Sequence, residues 1–258
     1  MRLGLALATE LELAATCGTI TDRGDYLVVR TNDPSYYFGN ILVLASPPQV
    51  GEVAYWTRRF ADEFRASSHS GGVRHVAFRW DGSGGDPGAR DELRAAGFSI
   101  EDHWVMASDR VAPAEASYPI RALRPDEMEA AAILSFAISD DHSDTYRHFL
   151  NRRAAWKADL VIAKLATFWG AFDGSELVGS LGLVPLDRVA RYQDVQTAAT
   201  HRKRGIASAL LATAAAAVDV DRYVIVADPE SDASRIYTRA GFTVIERMVS
   251  AFSAPASR

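Results

Sequence analysis

The residues best able to do chemistry lie in one run, Arg202-Lys203-Arg204-Gly205-Ile206-Ala207-Ser208, which follows an apolar segment ending at Val195-Gln196-Thr197 and opens an alanine-rich stretch. The first turn of a helix exposes N–H groups with no intrahelical partner and carries the positive end of the macrodipole. A glycine there lets an anion approach the backbone, and three basic side chains add to the attraction. The chemistry this suits is phosphate binding: Gly205 and Ala207 are small enough for a bulky anion to reach the N–H groups from Arg204 to Ser208. Arg202 and Arg204 are candidate direct ligands, and Lys203 is either a third or a solvated side chain. A second polar cluster, Asp140-Asp141-His142 with Asp144, is either a solvated acidic loop or a site that holds a cationic amine or relays its proton. With no second ligand cluster in the chain, it does not read as a metal site.

Positioning these residues requires strands and helices in a particular order. From Tyr118 the pattern gives a strand to Ala122, a helix opened by Pro125-Asp126-Glu127 and running to about Ile138, and a second helical stretch over Asp144 to Ala158. Strands at Thr167 to Phe172 and Glu176 to Val184 join at Asp173-Gly174, a hairpin dipeptide. A strand from Val189 to Thr197 leads into the basic loop, then come a helix to about Val218, a strand at Tyr223 to Ala227, a short helix around Tyr237 and a final strand from Phe242 to Phe252. The first half reads as an opening helix or strand, strands near Asp25 to Arg30 and Tyr37 to Ala45, a helix from Val53 to Arg65, and a strand from Val73 to Trp80. A glycine-rich loop, a short helix and a strand from Phe98 to Ser108 follow. Ala89 to Phe98 is similar to Ala233 to Phe242, each a short helix closed by Gly-Phe, so the chain reads as two related units. The expected boundaries are 1–111, a linker at 112–117 and 118–258.

Two signatures carry a family resemblance. Val195-x-Thr197 followed by Arg202-x-x-Gly205-x-Ala207, and then Ala233-x-x-x-Tyr237-x-x-x-Gly241-Phe242, resemble the two motifs of the GNAT superfamily of N-acetyltransferases. The likeness extends over about Tyr118 to Phe252. It implies an α+β fold, a mixed and mostly antiparallel sheet flanked by helices, and acetyl-CoA as cosubstrate. The resemblance implies that Val195, Gln196 and Thr197 hydrogen-bond the pantetheine arm through their backbone, that Arg202 to Ser208 hold the pyrophosphate, and that the Val195 N–H sits near the developing oxyanion. Tyr237 would donate a proton to the departing thiolate or else only pack against the cofactor. Asp194 is the candidate base beside that strand, although alternation places it on the face opposite Val195. Asp140, Asp141 and His142 fall where relatives shape the acceptor pocket. The chain departs from the family at Glu230, where Asn is common. The first unit has Leu93 where the second has Tyr237 and lacks the basic Gly loop, which makes it a degenerate half. Its Tyr36-Tyr37-Phe38-Gly39-Asn40 run is either core or one wall of an acceptor cleft.

Composition narrows the function further. A chain of 258 residues with net charge −5 has no global attraction to nucleic acid or anionic membrane, so its basic loop is a local site. The single cysteine, Cys17, excludes an intramolecular disulfide and suits a cytoplasmic protein. The apolar opening run is interrupted by Glu10 and Glu12, and no stretch is long enough to span a bilayer. The expectation is a cytoplasmic tandem protein whose second half moves an acetyl group to a primary amine by direct attack. Its alternative is a catalytically silent acyl-CoA-binding or regulatory module. The acceptor, the acyl-chain preference and the choice between monomer and homodimer stay open.

Overall fold

The structure is a computed structural model that describes residues 3–65 and 72–254. Met1 and Arg2, the start of the opening apolar run, lie outside the described residues. By contact the chain separates into two compact units, one comprising residues to 105, 227–229 and those from 244 on, the other residues 106–226 and 230–243.

The first unit opens with α1 (Leu5–Ala15), which settles the opening segment as a helix, and then β1 (Gly18–Asp22), β2 (Tyr26–Thr31) and β3 (Ile41–Leu44). Helix α2 (Val53–Arg65), strand β4 (Val76–Asp81), helix α3 (Arg90–Ala95) and strand β5 (Ser99–Ser108) complete its local run. Its strand order is β1-β2-β3-β4, then β11 (Thr243–Ser253), then β5. The final strand of the chain therefore joins this sheet, pairing antiparallel with β4 from Met248↔Asp81 to Ser253↔Val76. Phe78 and Trp80 of β4 are fully buried. Helix α2 buries Val53, Phe60 and Phe64 at helical spacing, each burial contributing about 2 kcal/mol. The strand expected from Tyr37 to Ala45 is shorter. Tyr37–Gly39 forms a 3-10 turn, because buried Asn40 turns its side chain back to the carbonyls of Asp33 and Tyr36.

In the second unit, β6 (Ile120–Ala122) leads through a 3-10 turn at Pro125–Glu127 into α4 (Met128–Ile138) and α5 (Asp144–Ile162). The meander β7 (Thr167–Asp173), β8 (Glu176–Leu186) and β9 (Val189–Thr197) follows, then α6 (Ile206–Ala215), β10 (Arg222–Ala227) and α7 (Asp232–Arg239). The strand order is β6-β7-β8-β9-β10. All neighbours are antiparallel except β9 and β10, which run parallel because α6 crosses between them. Helix α6 buries Leu210, Leu211 and Ala214. The architecture is the mixed, mostly antiparallel sheet flanked by helices that the sequence implied. No helix among the described residues is long and apolar enough to cross a membrane.

Candidate functional site

Strand β9 parts from β10 and bulges against β8 where the chemistry is expected. Its register with β10 ends at Arg191↔Val224. Against β8, the register runs from Gln193↔Gly182 to Gln196↔Ser180, so Asp194 and Val195 together oppose the single residue Leu181. This is a β-bulge, and Asp194 adopts φ +49° within it. Left-handed backbone costs an L-residue about 1–2 kcal/mol. The Lys157 ammonium, on α5, sits 2.8 Å from the Asp194 carboxylate and offsets that cost.

The bulge interrupts the regular alternation at Asp194 and Val195, and the Asp194 side chain turns to Lys157. This pairing bears on Asp194 as the candidate base. Crowding by the surrounding protein pushes its carboxyl up, but the charge of Lys157, helped by Arg153 and Arg191, outweighs that and holds it below the ordinary aspartate value. A carboxylate held low and ion-paired is a poor proton acceptor.

Val195, Gln196 and Thr197 all line a cleft of about 710 Å³. Gln196 spends its side chain elsewhere: Ser135 Oγ donates to its Oε1 at 2.7 Å, and its Nε2 donates to Ser180 Oγ and the Ala131 carbonyl. It thus pins β9 to β8 and α4 and offers the cleft its backbone. Beyond β9, a 3-10 turn at Ala199–His201 leads to Lys203 at φ +62° and Gly205 at φ +76°, the N-cap of α6. A Cβ at Gly205 would meet nothing within 4 Å, so the glycine serves the left-handed turn and leaves room in front of the α6 N-terminus. Ile206, though buried, lines the cleft together with Ala207 and Ser208.

The three basic residues of the loop divide their roles. Arg202 and Lys203 line the cleft. Arg204, expected beside them, instead donates to Tyr118 Oη at 2.7 Å and is not among the lining residues. His201, which sequence reasoning passed over, braces the loop from the other side. Its Nε2 lies 3.2 Å from Asp173 Oδ2 in the β7–β8 turn, and its ring meets Tyr118 edge-on. A histidine next to a basic run gives no sequence signal for such a brace.

Helix α7 forms the facing wall, with Arg235 and Arg239 one turn apart on the cleft side. The lining therefore carries Arg202, Lys203, Arg235 and Arg239 against one carboxylate, Asp232, in a chain of net charge −5. Tyr237 lies between the two arginines in sequence, 5% exposed, and burial pushes its phenol up to about 12. The arrangement offers an anion the N-terminus of α6, four cations and a neutral phenol in one cleft.

The acidic trio does not join it. Asp140, Asp141 and His142 are exposed and outside the lining. The Asp141 carboxylate accepts from Ser143 N at 2.8 Å, a backbone bond that lowers its pKa. His142 packs edge-on against Phe136. No group of three metal-ligating side chains occurs among the described residues.

The first unit has a parallel crossover of the same kind, β3 to α2 to β4, and there two carboxylates bond the backbone of the loop that opens α2. Glu92 Oε2 accepts from Gly51 N at 2.6 Å and Glu52 Oε2 from Gln49 N at 2.9 Å. Ala89 N donates to the Pro48 carbonyl, closing the loop against α3. Leu93, in place of the tyrosine, is fully buried.

Residues 164–244 match the family model described as the acetyltransferase (GNAT) domain. Among solved structures, a functionally unknown conserved protein from Staphylococcus epidermidis is similar at TM-score 0.74 and 13% identity, over 92% of this chain and 94% of its own. A GCN5-related N-acetyltransferase from Kribbella flavida is similar at TM-score 0.66 and 17% identity, over 99% and 98%. A tandem GNAT protein from the clavulanic acid biosynthesis pathway is similar at TM-score 0.54 and 14% identity, over 93% and 80%. At these identities the likeness is one of fold. No curated protein matches the sequence.

Proposed function

We propose that this chain, which carries a GNAT acetyltransferase domain across residues 164–244, transfers an acetyl group from acetyl-CoA to a primary amine in the cleft of its second unit. The carrying observation is that cleft: the loop of Lys203 and Gly205, the parted strand at Val195 and the buried Tyr237 all line it. The residues fit the cosubstrate. The open space before Gly205 and the unpaired N–H groups of the first α6 turn suit a pyrophosphate, with Arg202 and Lys203 adding charge. The backbone of Val195 to Thr197 suits an amide-bearing arm, as an added strand would.

Acetyl transfer needs a neutral amine, a donor for the carbonyl oxygen as it gains charge, and stabilisation of the departing sulfur. The amine nitrogen forms its bond to the carbonyl carbon, the C–S bond breaks, and one amine proton ends on sulfur. The Val195 N–H is the donor to the oxygen. A phenol near 12 stays protonated throughout the working pH range, so Tyr237 donates a hydrogen bond to the sulfur. Giving the proton up outright to a thiolate of ordinary pKa, about 8.5, would be uphill by roughly 5 kcal/mol. The attacking amine, which must lose a proton, supplies it instead, so the scheme requires no carboxylate base. In the first unit, carboxylates already engage the backbone of the loop before α2, so the cosubstrate is assigned to the second unit alone, and the single cysteine suits a cytoplasmic location.

Steady-state kinetics with a panel of primary amines tests this, comparing wild type with Tyr237→Phe. The expected result is turnover by wild type and a kcat lower by about 10²-fold in the variant, the scale of losing one preorganised donor. A folded wild type that binds acetyl-CoA but acetylates none of the amines would favour a silent acyl-CoA-binding module.

A further inference from the structure

We propose that Lys157 is a positioning residue for acetyl transfer: its buried ammonium latches Asp194 in the left-handed conformation that forms the β9 bulge and turns the backbone of Val195 into the cleft. The inference rests on the acetyltransferase reading of that cleft. Three observations support it. Lys157 is 8% exposed and makes its ion pair across elements, from α5 to β9, at 2.8 Å. Asp194 is a non-glycine residue at φ +49° in the one place where the β8–β9 register slips. The next residue, Val195, lines the cleft and has no register partner on β8 or β10.

The chain of cause runs from charge to geometry. The left-handed region crowds the Cβ of an L-residue at a cost in energy, and Asp194 adopts it inside a strand, where no tight turn imposes it as at Asp187 between β8 and β9. A bulge can also relax, because shifting one residue restores a regular ladder and moves every later side chain to the other face. The ion pair ties the aspartate to a helix that cannot shift with the strand, and the buried ring of Phe168, 5.6 Å from the ammonium, fixes the other side of Lys157. Asp194 thereby acts through conformation, and its carboxylate takes no proton from the substrate.

The deciding comparison is Lys157→Met against the double variant Lys157→Met with Asp194→Gly. Glycine adopts the left-handed conformation without a latch and carries no carboxylate. Each variant is first checked for a folded state by circular dichroism and melting temperature, and for acetyl-CoA affinity by calorimetry. The single variant should still bind acetyl-CoA, weakened by less than about tenfold because the α6 loop keeps its hold on the pyrophosphate while the arm loses part of its backbone contact, yet at saturating acetyl-CoA turn over at least about tenfold more slowly, a displaced donor costing less than the roughly 10²–10³-fold of a lost one. The double variant should recover most of that kcat. Wild-type turnover by a folded Lys157→Met would overturn the proposal, and so would a double variant as slow as the single, which would mean that the carboxylate itself does chemistry. A wild type that binds no acetyl-CoA would instead remove the acetyltransferase reading beneath it.

Discussion

The Glu92 carboxylate accepts the Gly51 backbone N–H at 2.6 Å in the helix-opening loop of the first unit, whereas in the second unit Gly205, Ala207 and Ser208 of the corresponding loop line an open cleft. A carboxylate already seated there excludes a phosphate by occupancy and by like charge. The chain should therefore bind one acetyl-CoA. Calorimetric titration should give a stoichiometry near one; two sites per chain would contradict the exclusion by Glu92.

Arg235 and Arg239 add charge to the α7 wall beyond what Arg202 and Lys203 provide. Replacing both with Gln should weaken acetyl-CoA about tenfold or more, and the loss should shrink as salt rises, since exposed charges are screened within about 8 Å at physiological ionic strength. Affinity measured at low and high salt reads this. An equal loss at both would point to packing.

The Tyr237 phenol, pushed up to about 12 by burial, cannot titrate between pH 6 and 9. In that window kcat/KM should follow the deprotonation of the amine acceptor, with the same profile shape in wild type and Tyr237→Phe at different heights. A basic limb present only in wild type would show that the phenol loses its proton in the working range.

Stability should depend on pH through Glu63, which Arg23, Tyr26 and Arg30 hold by hydrogen bonds and which lies at about 2 against an ordinary value near 4.5. Its folded pKa is depressed, so its contribution is present above about pH 4.5 and is lost as pH falls toward 2. The full shift corresponds to roughly 3 kcal/mol, an upper bound because Arg23 is partly exposed. Glu63→Gln should lower the melting temperature at pH 7 and flatten its fall in acid. Parallel acid curves would assign the acid sensitivity to other carboxylates.

Much of the site was legible in the sequence because its signals are local. β9 was read at its observed bounds, since its alternation ends at a polar, glycine-marked loop, and the Gly-Phe closures of α3 and α7 are C-terminal caps in both units. Non-local features were not legible. Strand β1, at an edge with mostly exposed residues, has no alternation to read. No pattern says which sheet a final strand joins, and β11 pairs with β4. No pattern announces the bulge at Asp194, and the ion-pair partner of that residue, Lys157, lies on a helix 37 positions earlier. Charge within the motif singles out Arg204, and the place where relatives shape the acceptor pocket singles out Asp140 to His142. Their partners, Tyr118 and the local turn at Ser143, are visible only once the chain is folded.

The central claim is that the second unit's cleft holds acetyl-CoA at the α6 N-terminus. Calorimetric titration of acetyl-CoA into wild type and Gly205→Glu tests it most directly, because the substitution places a carboxylate where the structure leaves open space. Saturable binding by wild type that the folded variant loses is the result this account predicts. Equal binding by both, or none by a folded wild type, would contradict it.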